Sequence, residues 1–153
     1  MSEMCNDKEF RKTLESLDPQ QQREVAVMFV NHVLPLCDDK RLERVMKIAA
    51  DTDASKEELA AALKTAHAVT FDSHARCGAD CHWSEQAGYF VARAAVAATT
   101  APSHSRAGGP AWQAAMSARM AHTTSLIDDV TNTQSAHTEC LWQYEALSGY
   151  LNV

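Results

Sequence analysis

Apolar residues in this chain recur every three or four positions, the period of a helix that buries one side. Over 7–17, Phe10, Leu14 and Leu17 form such a stripe. Asp18 followed by Pro19 then reads as an N-cap and a first helical residue. Val25, Phe29, His32 and Val33 line the next segment, with Val30 beside them. Pro35 ends or kinks that helix near Leu34, because proline has no N–H to donate and its ring crowds the preceding residue. A third helix begins near Asp38 or Asp39 and aligns Leu42, Val45, Met46 and Ala49, and 51–54 is a polar break.

Ser55 and Glu58, three apart, form a capping box in which each side chain satisfies a backbone donor at the start of a helix. The box opens the longest pattern, with Leu59, Leu63, Ala66, His67, Thr70, Phe71 and His74 on the expected buried stripe and Gly78 as its stop. A further helix over 84–99 carries Tyr89, Phe90 and Val96 among alanines. Residues 100–110, rich in Pro, Ser and Gly, read as a loop. Helices from Pro110 to about Asp128 and from about Thr133 to Leu147 complete the pattern. There is no strand-like alternation of useful length and no internal repeat. The expected fold is all-α: one helical bundle over 1–153, of six or seven helices.

Composition explains why helices, and what kind. Of 153 residues, 26 are alanine, while Leu, Ile, Val and Phe together number 27. That is too little bulk for a thick β-sandwich core. Alanine is the strongest helix former and lets helix axes approach closely, so short, tightly packed helices are expected. Phe, Met, Trp, His and Cys must then fill the remaining space, and an alanine face could also serve self-association into a homodimer. No apolar run approaches the 18 residues of a membrane-spanning helix, and the N-terminal residues are polar. The expectation is a cytoplasmic protein with no membrane association.

Charge narrows the partners. The net charge is −6, and no Lys or Arg follows Arg119. The C-terminal part carries Asp128, Asp129, Glu139 and Glu145. Such a balance disfavours nucleic acid, whose phosphates require basic patches. It suits a basic protein partner, contacted by those four acids with Trp142 and Tyr144 as exposed aromatic anchors.

The remaining candidate chemistry is in the seven histidines and five cysteines. An odd cysteine count argues against a closed disulfide framework. His74, Cys77, Cys81 and His82 form one dense cluster, and His137 with Cys140 repeats the His-x2-Cys spacing on the last helix. Two such pairs on facing helices could supply the thiolate and imidazole ligands of zinc or another transition metal. The alternative is that Cys77 and Cys140 are small buried apolar residues and that His74 and His137 satisfy hydrogen bonds. Cys81 beside His82 is a poor nucleophile–base pair, since adjacent residues rarely reach one substrate atom together. No glycine-rich phosphate loop or Gly-x-Ser-x-Gly elbow is present, so neither a nucleotide site nor a catalytic constellation is expected.

The run Asn31-His32-Val33-Leu34-Pro35-Leu36-Cys37-Asp38-Asp39-Lys40-Arg41-Leu42 resembles the opening of the Imm-5-like immunity proteins of bacterial toxin systems. Residues 59–68, ending Ala66-His67-Ala68, resemble that family's Ala-Ala-His-Ala segment, and Ala118-Arg119-Met120-Ala121-His122 resembles its Ala-Arg-Ala-x-His step. Ala136-His137 falls where a further His-bearing helix would lie. The chain departs from the pattern at Lys40-Arg41-Leu42, where the family commonly has Arg-Pro after its Asp. The resemblance implies a helical, non-enzymatic protein without a cofactor that binds and neutralises a toxin. A metal-binding helical protein using the His/Cys cluster is the alternative.

Overall fold

The computed structural model describes residues 6–76, 83–126 and 137–152, and among them there are seven α-helices and no strand. They are α1 (Asp7–Glu15), α2 (Pro19–Val33), α3 (Arg41–Ala50), α4 (Lys56–Arg76), α5 (Trp83–Thr99), α6 (Gly109–Leu126) and α7 (His137–Leu151), with 3-10 turns at Leu34–Leu36 and Pro102–His104. The all-α bundle is as the sequence indicates.

Local chemistry sets the helix starts. Asn6 accepts a hydrogen bond from the Glu9 amide at 2.9 Å and caps α1. Asp18 and Gln21 close a full capping box on α2, with Pro19 in its first turn. Ser55 accepts from the Glu58 amide at 3.1 Å at the head of α4. Pro35 stops α2 by converting the chain to a 3-10 turn. The third helix begins later than the sequence suggests, at Arg41; Lys40 at its N-cap makes no side-chain cap bond, and the Asp39 carboxylate just before it accepts from the Arg41 amide at 3.0 Å. The last helix starts at His137 and runs on to Leu151.

Two kinds of core meet in this bundle. Helix α5 is central and packs against α4, α6, α2 and α3. Its inner side is Val91, Ala92, Ala94, Ala95 and Ala98, and the facing part of α6 is Ala111, Ala114, Ala115 and Ala118, all buried. These alanines are therefore enclosed within the chain. The other half is thick and aromatic. Phe10 of α1 is fully buried, with its ring 5.8 Å from Phe29, 5.1 Å from Tyr144 and 6.1 Å from Trp112, which ties α1 to α2, α7 and α6.

One stripe differs from the sequence expectation. On α4 the buried positions are Ala62, Ala66, Val69 and Ser73, while His67, Phe71 and His74 are exposed, Phe71 by 73%. The buried face is the expected one moved back one residue, about 100° round the helix. Small side chains occupy it because α4 lies close against α3 and α5. The same holds for the histidines expected as core filler: His32, His67, His74 and His104 all reach solvent.

Candidate anion-binding cleft

The inner side of α5 is mostly alanine, and several of its larger side chains lie on the other side. Tyr89, Arg93, Val96 and Thr100 lie three or four apart and form one stripe along the outer side. Helix α4 contributes Leu63, His67 and Thr70 as one wall, and α6 contributes Gln113 and Ser117 as the other. The segment His104, Ser105 and Arg106 closes the end. Together these residues line a cleft of about 640 Å³, a size typical of ligand sites.

The closing loop is held in place. Gly108 and Gly109 have φ of +91° and +85°, a region that side-chain-bearing residues rarely adopt. The Gln113 side chain donates to the Ala107 carbonyl at 2.7 Å. Buried Gln22 of α2 accepts from the Ala111 amide at 3.3 Å and satisfies a donor in the first turn of α6. Arg106 is thus carried on an anchored loop.

The charge of the cleft runs against that of the chain. Two guanidinium groups, Arg93 and Arg106, and two imidazoles, His67 and His104, line it, and among the described residues no carboxylate does, although the whole chain carries −6. Neither arginine has an ion pair among the described residues; Arg93 lies 5.8 Å from the centre of the Tyr89 ring. Unpaired cations that converge on a cavity favour an anionic guest. Thr70 and Thr100 donate their hydroxyl protons to the carbonyls of Ala66 and Val96. Ser105 and Ser117 have no such bond among the described residues. The floor between the polar groups is apolar, from Leu63, Val96 and Ala97.

Leu63, His67, Thr70, Tyr89 and Val96 stood out from helical spacing only as expected core positions, and the two arginines did not stand out. One signal was available: Arg93 is the only Lys, Arg, Asp or Glu between Glu85 and Arg106, in a stretch otherwise alanine-rich. A lone charge on such a helix must face water or a cavity, since burial without a partner is costly.

The acidic and aromatic residues expected to face a partner are arranged differently. Glu139 is 1% exposed and Tyr144 is 7% exposed, so neither presents itself to solvent. Both belong to the inner stripe of α7, with Cys140, Gln143 and Leu147. His32 meets the buried Glu139: its Nδ1 lies 3.0 Å from Oε1, the hydrogen-bonded oxygen, and 2.9 Å from Oε2, which has no hydrogen-bond partner among the described residues. Trp142 is half-buried and stacks on the His32 ring, centroids 3.5 Å apart. Glu145 is exposed. Asp128 and Asp129 lie outside the described residues.

Of the His/Cys pool, Cys77, Cys81, His82 and the side chain of His137 also lie outside them. His74 is exposed, with its ring 5.7 Å from that of Tyr89, whereas Cys140 is buried with its sulfur 4.0 Å from an Asp7 oxygen. The two therefore engage different neighbours. Among the described residues no three His, Cys, Asp or Glu side chains are grouped to hold a metal ion, and no helix is long and apolar enough to cross a membrane. Compared with protein-family models, curated proteins and solved structures, the chain matches none.

Proposed function

We propose that the protein is a binding module that receives an acidic group of a protein partner in the α4–α5–α6 cleft. The observation that carries this reading is the pairing of Arg93 and Arg106 with His67 and His104 in one cavity that, among the described residues, no carboxylate lines, on a chain of net charge −6. A guest must bring the missing negative charge. Exposed apolar side chains on the two wall helices favour a protein as its carrier. Phe71, 73% exposed, follows the wall residue Thr70 on α4, and Met120, also exposed, lies three residues past Ser117 on α6. Large apolar side chains beside a polar pocket suit the anchor-and-rim construction of a protein interface.

The acidic component is thereby assigned to the partner, and the cationic one to this chain. The resemblance to Imm-5-like immunity proteins points to the same class of action, binding another protein, and a toxin is the partner it implies.

Fluorescence polarisation with labelled peptide pools tests the reading. One pool carries a central acidic residue, either glutamate or phosphoserine, and the other carries glutamine at that position. The acidic pool should bind at least about tenfold tighter, the worth of one charge-assisted hydrogen bond, and Arg93→Gln should remove the difference. Equal binding of acidic and neutral pools would sink the proposal.

A further inference from the structure

The number of cationic groups in the cleft says more than that the guest is negative. One carboxylate has two oxygens and a single charge, and a single guanidinium saturates it through two parallel hydrogen bonds. Here a second guanidinium would remain without a counterpart. A phosphate monoester carries about −1.5 to −2 charges and three acceptor oxygens near neutral pH. That matches two arginine forks.

The neutral groups agree. Thr70 and Thr100 are committed to backbone carbonyls, and Gln113 to Ala107. The donors left in the lining are Ser105, Ser117 and the Tyr89 hydroxyl, together with the His67 imidazole and Nε2 of His104, whose Nδ1 lies 3.2 Å from the Ser103 hydroxyl. Phosphate oxygens beyond those held by the arginines would take up such donors. The cleft, about 640 Å³, also has far more room than one phosphate needs. Its apolar lining at Leu63, Val96 and Ala97, with Phe71 and Met120 exposed on the two wall helices, leaves space for residues on either side of the phosphorylated one.

We infer that the acidic group recognised by this cleft is a phosphorylated serine or threonine side chain of the partner, with Arg93 and Arg106 as the pair that reads its charge. The inference rests on the binding reading above and names the chemistry of its ligand. Recognition of phosphorylated side chains by arginine clusters is a recurring mode of peptide binding.

The test compares degenerate peptide pools with a central phosphoserine, glutamate or serine, alongside O-phosphoserine, inorganic phosphate and a single-stranded oligothymidylate as separate probes. Polarisation and isothermal titration read the affinities. The phosphoserine pool should bind at least about tenfold tighter than the glutamate pool. Both Arg93→Gln and Arg106→Gln should abolish that preference, and Arg93→Lys should reduce it, because lysine keeps the charge but not the planar fork. Arg106 sits on a loop outside the helical core, so its variant keeps the test valid if Arg93→Gln disturbs packing; melting curves report folding for each.

Equal binding of the glutamate and phosphoserine pools would overturn this inference while leaving the acidic-partner reading standing. No binding by either pool would overturn both. O-phosphoserine or inorganic phosphate binding as tightly as the peptide would show a small phosphate to be the ligand, and oligothymidylate binding as tightly would show a nucleic acid; each refutes the proposal.

Discussion

Arg119 on α6 grips Asp7 on α1 through two contacts, Nη1 to Oδ2 at 3.0 Å and Nη2 to Oδ1 at 2.9 Å. The same guanidinium donates from Nε to Gln143 at 2.8 Å, and Gln143, fully buried, donates in turn to the Ala115 carbonyl at 2.9 Å. One side chain therefore fastens α1 and α7 to α6. Replacing Arg119 with Met keeps its apolar stem but leaves the Gln143 oxygen buried without a donor. The expected loss is about 2–3 kcal/mol of stability, read as a lower urea midpoint, with amide exchange in α1 accelerated most.

Tyr144 and Tyr150 give the fold an alkaline limit. Tyr144 donates to Asp7 at 2.6 Å, and its hydroxyl is held well above the ordinary phenol range by burial first and then by Asp7 and Cys140. Tyr150 donates to Glu24, and burial followed by that bond pushes it up to about 12. Both phenols are favoured protonated in the folded state. Their contribution is intact below the unfolded value of about 10 and is lost as pH rises through the folded values. Thermal midpoints should fall between pH 10 and 12, and less steeply in Tyr150→Phe; an unchanged slope in that variant would refute the assignment.

The α4 face is tested by a contrast of two substitutions. Phe71→Ala removes a large side chain that lies mostly in water and should change stability by less than about 0.5 kcal/mol. Val69→Ala removes only two carbons, but from a fully buried position, and should cost about 1–2 kcal/mol. If Phe71 proved the costlier of the two, the orientation of α4 would be wrong.

This orientation also shows how far the sequence could be read. Helix number and most helix ends follow from caps and periodicity: Asp18, Pro19, Pro35 and Ser55 act locally, and local chemistry is visible in a chain. Which side of α4 faces in is decided by how near α5 lies, and that distance depends on alanines whose small size carries no direction in a hydrophobic pattern. Glu139 and Tyr144 were misplaced for a related reason. A polar side chain is taken to face water until its partner is known, and here the partners, His32 and Asp7, are more than 100 residues away in sequence. The cleft was hidden because its residues come from three helices and a loop, joined only by packing.

The loop that carries Arg106 should be sensitive at Gly108. A methyl group there would lie 2.3 Å from the Trp112 ring, and the backbone already sits at φ +91°. Gly108→Ala should cost at least about 1–2 kcal/mol. Because the strain is released by moving the loop, the variant should also weaken binding of the phosphoserine pool; unchanged stability and binding would contradict the described loop.

The alanine interior of α5 has a consequence for how this protein can diverge. Tyr89 and Arg93, the α5 residues that give the cleft its chemistry, share a helix with the buried alanines but not a face. Exchanging them leaves the buried alanine seam with α6 untouched. Recognition and folding are thus written on opposite sides of one helix, so ligand preference can be changed by substitution at the floor of the cleft while the bundle that supports it stays the same.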